Sequence, residues 1–273
     1  MCFFLTFQSF GNILKKRTRT RNELPMNDFF KIDLHTHTCA SGHGTKDTIT
    51  DLAREASARG ITILGISDHG PATMGSAKPA YFRGLSVLNR QDALAGSSKR
   101  HPFGVRLLLG VEANILDKEG HLDLSDEILA SLDYVIVSMH LPIYTPGSVK
   151  ENTLAYQRAM EHPKVRIIGH CDDPRFPVDY DALVSASLQR GVLPELNNVS
   201  LLSGSYRGDC RPGAICLLDA CRRLNYPILL SSDSHGKEQI GCMAQAFALT
   251  KERAFPASLI GNLHPERLPF SIF

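Results

Sequence analysis

Nine residues able to ligate a metal ion stand just after seven short apolar runs, in chain order. The runs end in His35-Thr-His37, His69, Glu112, His140, His170, the ELNN of 195–198, and Asp233-Ser-His235, with His43 a short way past the first. Seven imidazoles and two carboxylates can hold more than one divalent ion. His35 and His37 fall on the same side of an extended segment, because strand side chains alternate, and can chelate one ion together. Glu112 closes the otherwise apolar RLLLGV. A carboxylate there is costly to bury unless it is paired with a cation or coordinated to a metal, and its two oxygens can bridge two ions. A lone histidine is more often a core residue bonded to a carbonyl. Seven of them, each at the end of an apolar run, point to a metal centre.

The elements that must position these groups are short strands alternating with helices. Strand-like runs cover Lys31–Leu34, Ile61–Ile66, Arg106–Val111, Tyr134–Ser138, Val165–Ile168, Val192–Leu196 and Pro227–Leu230. Helical spacing of apolar residues appears over Asp47–Arg59, with Asp47 or Thr48 as cap, and over Leu85–Leu94, Lys150–Glu161, Asp179–Arg190, Gly213–Leu224 and Lys237–Lys251. Residues 70–84 and 203–212 are loops by their Gly, Pro and Ser content. Seven β–α steps with near-continuous apolar strands imply a parallel α/β sheet covered by helices. Ligands gathered from the ends of nearly every strand imply a closed or nearly closed barrel. A doubly wound open sheet, the alternative, gathers its ligands at one switch point.

Composition sets the remaining bounds. The chain has 273 residues, 43% hydrophobic and 21% charged, enough for one sizeable domain. Its net charge is +2, yet residues 1–25 hold five basic residues against Glu23, a balance of +4, so the rest carries −2. That argues against nucleic acid as the main partner. Seven cysteines with no Cys-x-x-Cys pair fit a reducing, cytoplasmic setting and not a disulfide framework. No apolar run approaches the ~20 residues of a membrane span. Residues 1–30 are read as an extension, disordered or preceding the true start, because Met26 opens MNDFFKIDLHTH.

DLHTHT at 33–38, SDHGP at 67–71, GVEANI at 110–115, SMH at 138–140, GH at 169–170, ELNN at 195–198 and SSDSH at 231–235 resemble, in this order, the PHP (polymerase and histidinol phosphatase) family, and within it the YcdX-type phosphatases. The resemblance spans Lys31 to about Phe270 and implies a distorted (β/α)7 TIM-like barrel in a single domain, 31–273, with a trinuclear site that takes zinc or, in its place, manganese or iron. It implies His35, His37, Glu112 and Asp233 on one ion, and His43, His69 and His235 on a second. Glu112, His140 and His170 fall on the third. Where the family continues His-Pro-x-x-Pro, this chain has Cys171-Asp172-Asp173-Pro174 after His170. That changes the loop beside the third ion.

The chemistry expected is hydrolysis of a small phosphate monoester, with metal-bound hydroxide as nucleophile and the cations offsetting charge on the ester oxygens. Glu112, Asp233 and His69 are expected at the reacting centre as holders of the ions, not as general bases. Asn114, Asn197 and Arg90 are candidate substrate contacts, with Arg83 and Arg207 as further candidate clamps. Asp68 is a candidate to orient the imidazole of His69. The rival readings are an amidohydrolase-type C–N hydrolase, whose bridging Lys is replaced here by His140, a PHP nuclease acting on DNA, and a non-catalytic metal-binding domain.

Overall fold

The computed structural model describes residues 30–95 and 101–270; for 89–95 only the backbone is described. Residues 1–29, nearly all of the expected extension, and the side chain of Arg90 lie outside the described residues.

Each apolar run forms a strand: β1 (Ile32–Asp33), β2 (Ile63–Ile66), β3 (Arg106–Leu109), β4 (Val111–Asn114), β5 (Val135–Ser138), β6 (Val165–Ile168), β7 (Leu193–Asn197) and β8 (Leu229–Ser231). All pairings are parallel, in two sheets ordered β1-β2-β3 and β4-β5-β6-β7-β8. The third expected strand is thus two, broken at Gly110, and it continues three residues further than its apolar run. The cause is Tyr134, whose hydroxyl donates to the carbonyl of Leu34 at 2.7 Å. To get there its side chain passes Gly110 and Gly65, where an added Cβ would come within 2.6 and 2.2 Å of it. Beyond the break, His69 still bridges Glu112 in parallel sense.

Between the strands run α1 (Ile49–Ala58), α2 (Pro79–Ala95), α3 (Asp126–Ser131), α4 (Val149–Ala159), α5 (Tyr180–Arg190), α6 (Arg211–Arg223) and α7 (Ala244–Glu252). Thr48 caps α1 in a reciprocal box with Asp51, and Ser148 with Glu151 does the same for α4. Helix α2 starts six residues before its expected Leu85, inside the segment read as a loop. Pro79 is tolerated in a first turn, and Phe82 and Leu85 are buried one turn apart. Helix α3 was not expected; six residues are too few to show a helical period.

The strands are buried almost throughout, and one apolar core runs from Phe30 to Ile260. Where β1 and β8 come together, Thr36 bridges Ser234 in parallel sense, with His37 N donating to Ser234 O at 2.8 Å. Below that bridge, the Asn262 amide accepts from Leu230 N and donates to the carbonyls of Leu230 and Ile32, at 2.8 to 3.2 Å. Its side chain thereby does the work of a strand's peptide group. Among the described residues no helix is long and apolar enough to cross a membrane.

Candidate metal centre

Parallel strands leave all their carboxyl ends at one edge, and the candidate ligands meet there. Glu112, fully buried in β4, lies at the middle. Its Oε2 is 2.6 Å from His69 Nδ1, 3.5 Å from His35 Nε2 and 3.6 Å from His37 Nε2. Its Oε1 is 2.8 Å from His170 Nε2 and 3.4 Å from His140 Nε2. Asp233 Oδ1 stands 3.2 Å from His37 Nε2 and 3.6 Å from both His35 Nε2 and His235 Nδ1. His235 Nε2 is 3.4 Å from His69 Nε2. The His43 ring, more exposed, stacks on His69 and His235 at 4.9 and 5.0 Å. All nine candidate ligands are thus neighbours in one site.

The outer nitrogens decide what the inner ones can do. His35 Nδ1 meets Glu195 Oε1 at 2.7 Å, and His140 Nδ1 meets Asn114 Oδ1 at 2.8 Å. His37 Nδ1 meets Ser41 Oγ at 2.9 Å, and Ser41 donates its own proton to Asp68 at 2.7 Å. Each partner is an acceptor, so each Nδ1 carries the proton and each Nε2 presents a lone pair inward. Those inner atoms have no hydrogen-bond partner: His35, His37 and His140 Nε2, with His69 Nδ1 and Glu112 Oε2, are buried and unsatisfied. Buried unsatisfied donor sets are costly and call for an explanation. Three overlapping groups, His37-His69-His235, His35-His37-Glu112 and His69-Glu112-His140, have their ligand atoms within 4.8 Å of one another. This donor set fits divalent cations of the zinc class, borderline in softness and suited to imidazole and carboxylate.

The protonation preferences of these side chains agree with that fit. Burial pushes the Glu112 and Asp233 carboxyls up, but the surrounding imidazoles, with Arg207 beside Asp233, hold both well below the usual carboxylate range. Burial first and then the neighbouring rings keep His37 well below an ordinary imidazole, and burial also lowers His140, His235 and His43. Charged carboxylates and neutral imidazoles are the forms that bind metal. His35 is the exception. Burial lowers it, but Glu195, Asp233 and Glu112 together outweigh that and raise it well above the ordinary value. A cation at its Nε2 would answer the same three negative charges.

Two ligands sit on unusual backbone. His170 has φ 27° and Asp233 φ 51°, a region that costs non-glycine residues about 1–3 kcal/mol. Asp233 is held there by Arg207, whose Nη2 donates to Oδ2 at 2.9 Å, and by Asn197 Nδ2 at 3.1 Å. His170 is held by Glu195, which accepts its backbone N–H at 2.7 Å.

Several sequence expectations change here. Asn114 and Asn197 are fully buried and their amides are bonded to protein. Asn114 donates to Asp123 at 2.6 Å while holding His140, and Asn197 donates to Glu195 and Asp233. They orient ligands and do not face a substrate. Arg207 is buried on Asp233 and so is no clamp for an ester. Asp68 does not touch His69; it accepts from Thr38, Ser41 and Tyr81 and reaches His37 through Ser41. Glu195 was missed altogether. It carried the signal used for Glu112, a carboxylate inside an apolar strand.

Residues 33–190 match the PHP domain family. A relative from Clostridium acetobutylicum named a probable phosphatase is 36% identical over 242 residues, 88% of this chain and 93% of its own. The chain belongs to the PHP domain family. A second PHP relative, also named a probable phosphatase, from Acetivibrio thermocellus, is 36% identical over 87% of this chain and 93% of its own. Among solved structures, the histidinol phosphate phosphatase of Lactococcus lactis, complexed with zinc, L-histidinol and phosphate, matches with a TM-score of 0.52. It is 18% identical and the match covers 83% of this chain and 94% of that one, a likeness of fold.

The PHP site predicts the role of Glu195. Glu195→Gln is nearly isosteric and removes the charge opposite His35. Metal affinity is expected to fall about 10- to 100-fold, the usual cost of losing an outer partner of a ligating histidine. Competition against a fluorescent chelator measures it.

Proposed function

We propose that this PHP protein is a metal-dependent phosphatase that hydrolyses small phosphate monoesters at a cluster of three divalent ions. The observation that carries the reading is Glu112: one buried carboxylate whose two oxygens face five imidazoles with no hydrogen-bond partner for Oε2. His35, His37, Glu112 and Asp233 would hold one ion. His43, His69 and His235 would hold the second, and Glu112, His140 and His170 the third. Zinc suits this set best, with manganese or iron as substitutes. When bound, the ions supply Lewis acidity and hydroxide at neutral pH. The chain's own part is rigid placement. Glu195, Asn114 and Ser41 fix the rings, and Arg207 fixes Asp233. None of the ligands is a general base.

We read residues 31–273 as one catalytic domain and the two sheets as one distorted (β/α)7 TIM-like barrel. The single core, the Thr36–Ser234 bridge and the Asn262 side chain between β1 and β8 support this. Relatives named phosphatases support the reaction class. His140 at the position of an amidohydrolase's bridging Lys disfavours C–N hydrolysis. The −2 charge on residues 26–273 disfavours DNA. Zinc- and manganese-loaded protein should turn over p-nitrophenyl phosphate, and should leave the bis-ester, single-stranded DNA and a dihydropyrimidine amide nearly untouched. Turnover of the amide alone would overturn the reading.

A further inference from the structure

Five of the nine candidate ligands line one cavity of about 670 Å³, a size within the range of about 300–1,000 Å³ usual for small-molecule sites. His43, His69, His140, Asp233 and His235 form its floor. Its walls come from the loops after β2, β5 and β7, the same edge that supplies the ligands. They present Met74, Leu141, Ile143, Val199, Leu202 and Tyr206. Ten large apolar side chains stand exposed among the described residues, and four of them, Met74, Leu141, Leu202 and Tyr206, are on this one mouth. Apolar side chains scattered singly need no explanation, whereas a group of them around a polar floor marks a binding surface.

Charge on the walls is as informative. Among the described residues no Lys or Arg lines the cavity, and the one carboxylate on it, Asp233, is already paired with Arg207. A second phosphate on a substrate would therefore lose its water and meet no cation. The wall is also held in place: Tyr206 packs against the guanidinium of Arg207 at 4.8 Å and that of Arg175 at 5.5 Å, and Arg175 is itself fixed by Asp173 at 2.6 Å. A wall ordered before binding loses little freedom when a ligand arrives.

We propose that the cavity selects monoesters of uncharged, largely apolar alcohols, with the phosphate on the histidine floor and the alcohol against the Met74–Leu141–Leu202–Tyr206 wall. This rests on the phosphatase reading above. It excludes bisphosphates and nucleoside polyphosphates as good substrates.

The test is a series of n-alkyl phosphates, ethyl, butyl and hexyl, whose primary-alcohol leaving groups are chemically alike. On the metal-loaded full chain, kcat/KM should rise about two- to threefold per methylene, below the limit for full burial because the walls are half exposed. Hexane-1,6-diyl bisphosphate, which adds a second phosphate at the far end of the same chain, should run at least about tenfold below hexyl phosphate, the order lost when a charged group is left without a partner. Binding gives a second readout. Kd for the matching alkyl phosphonates should follow the same slope, with a heat-capacity change that grows more negative with chain length. In the Leu141→Ser/Leu202→Ser variant the preference for hexyl over ethyl should shrink in both readouts. Turnover of monoesters with no dependence on chain length, or a bisphosphate as good as hexyl phosphate, would overturn this proposal and leave the phosphatase standing. No turnover of any monoester by protein that holds metal would sink both.

Discussion

Glu112→Gln is expected to lower kcat/KM on p-nitrophenyl phosphate by at least about 10³-fold, because it removes the buried charge that five imidazoles face and that would hold the proposed cations. The change is nearly isosteric, so the loss is electrostatic and coordinative. Glu112 Oε1 and Oε2 each face at least two ring nitrogens, and an amide can replace neither oxygen's charge nor its bridging capacity. Bound metal should fall with activity. A melting curve of the variant under chelation, set beside wild type treated alike, separates lost coordination from lost folding. The loss should appear mainly in kcat, since the cations that Glu112 would hold act on charge that develops in the transition state. An effect below tenfold, with metal content unchanged, would remove Glu112 from the centre.

Chelation should destabilise the protein. A ligand that binds only the folded state stabilises it by about 4 kcal/mol when its free concentration is about 1,000 times Kd. For a domain of this size that corresponds to a fall in Tm of about 8–16 °C when the metal is stripped. The physical source is visible in the site: Glu112 and Asp233 are both buried, and the imidazoles facing them leave Glu112 Oε2 without a hydrogen bond. Removing cations leaves two buried charges with incomplete partners. Differential scanning with and without a zinc chelator measures the shift. Equal Tm in both conditions would mean that the cluster holds nothing that matters to the fold.

Much of the site was readable from residues alone, for a definite reason. In a parallel sheet every strand delivers its carboxyl end to the same edge, so a His, Glu or Asp closing an apolar run has one destination. His69, Glu112, His140, His170 and Asp233 follow that rule. The partners that orient them depend on information the rule omits. Period-two alternation does put Asn114 on the same face as Glu112, and Asn197 on the same face as Glu195. That His140 is the group Asn114 meets depends on the register of β4 against β5, where Asn114 sits opposite Ser138, two residues before the histidine. Arg207 lies in a loop 26 residues from Asp233, and nothing local distinguishes it from a solvated surface arginine. The glycine at 110 answers likewise to Tyr134, which reaches Leu34 from just before β5. Local pattern gave the donors; long-range packing assigned the acceptors around them.

We propose that nine side chains from six strand ends hold a cluster of divalent cations on which phosphate esters are hydrolysed. Elemental analysis of the purified full chain, titrated against phosphatase activity as metal is removed and restored, tests it most directly. Three zinc-class ions per chain are expected, with turnover lost as they leave and regained as they return. Protein that carries no transition metal, takes none up, and cleaves phosphate monoesters regardless would contradict it.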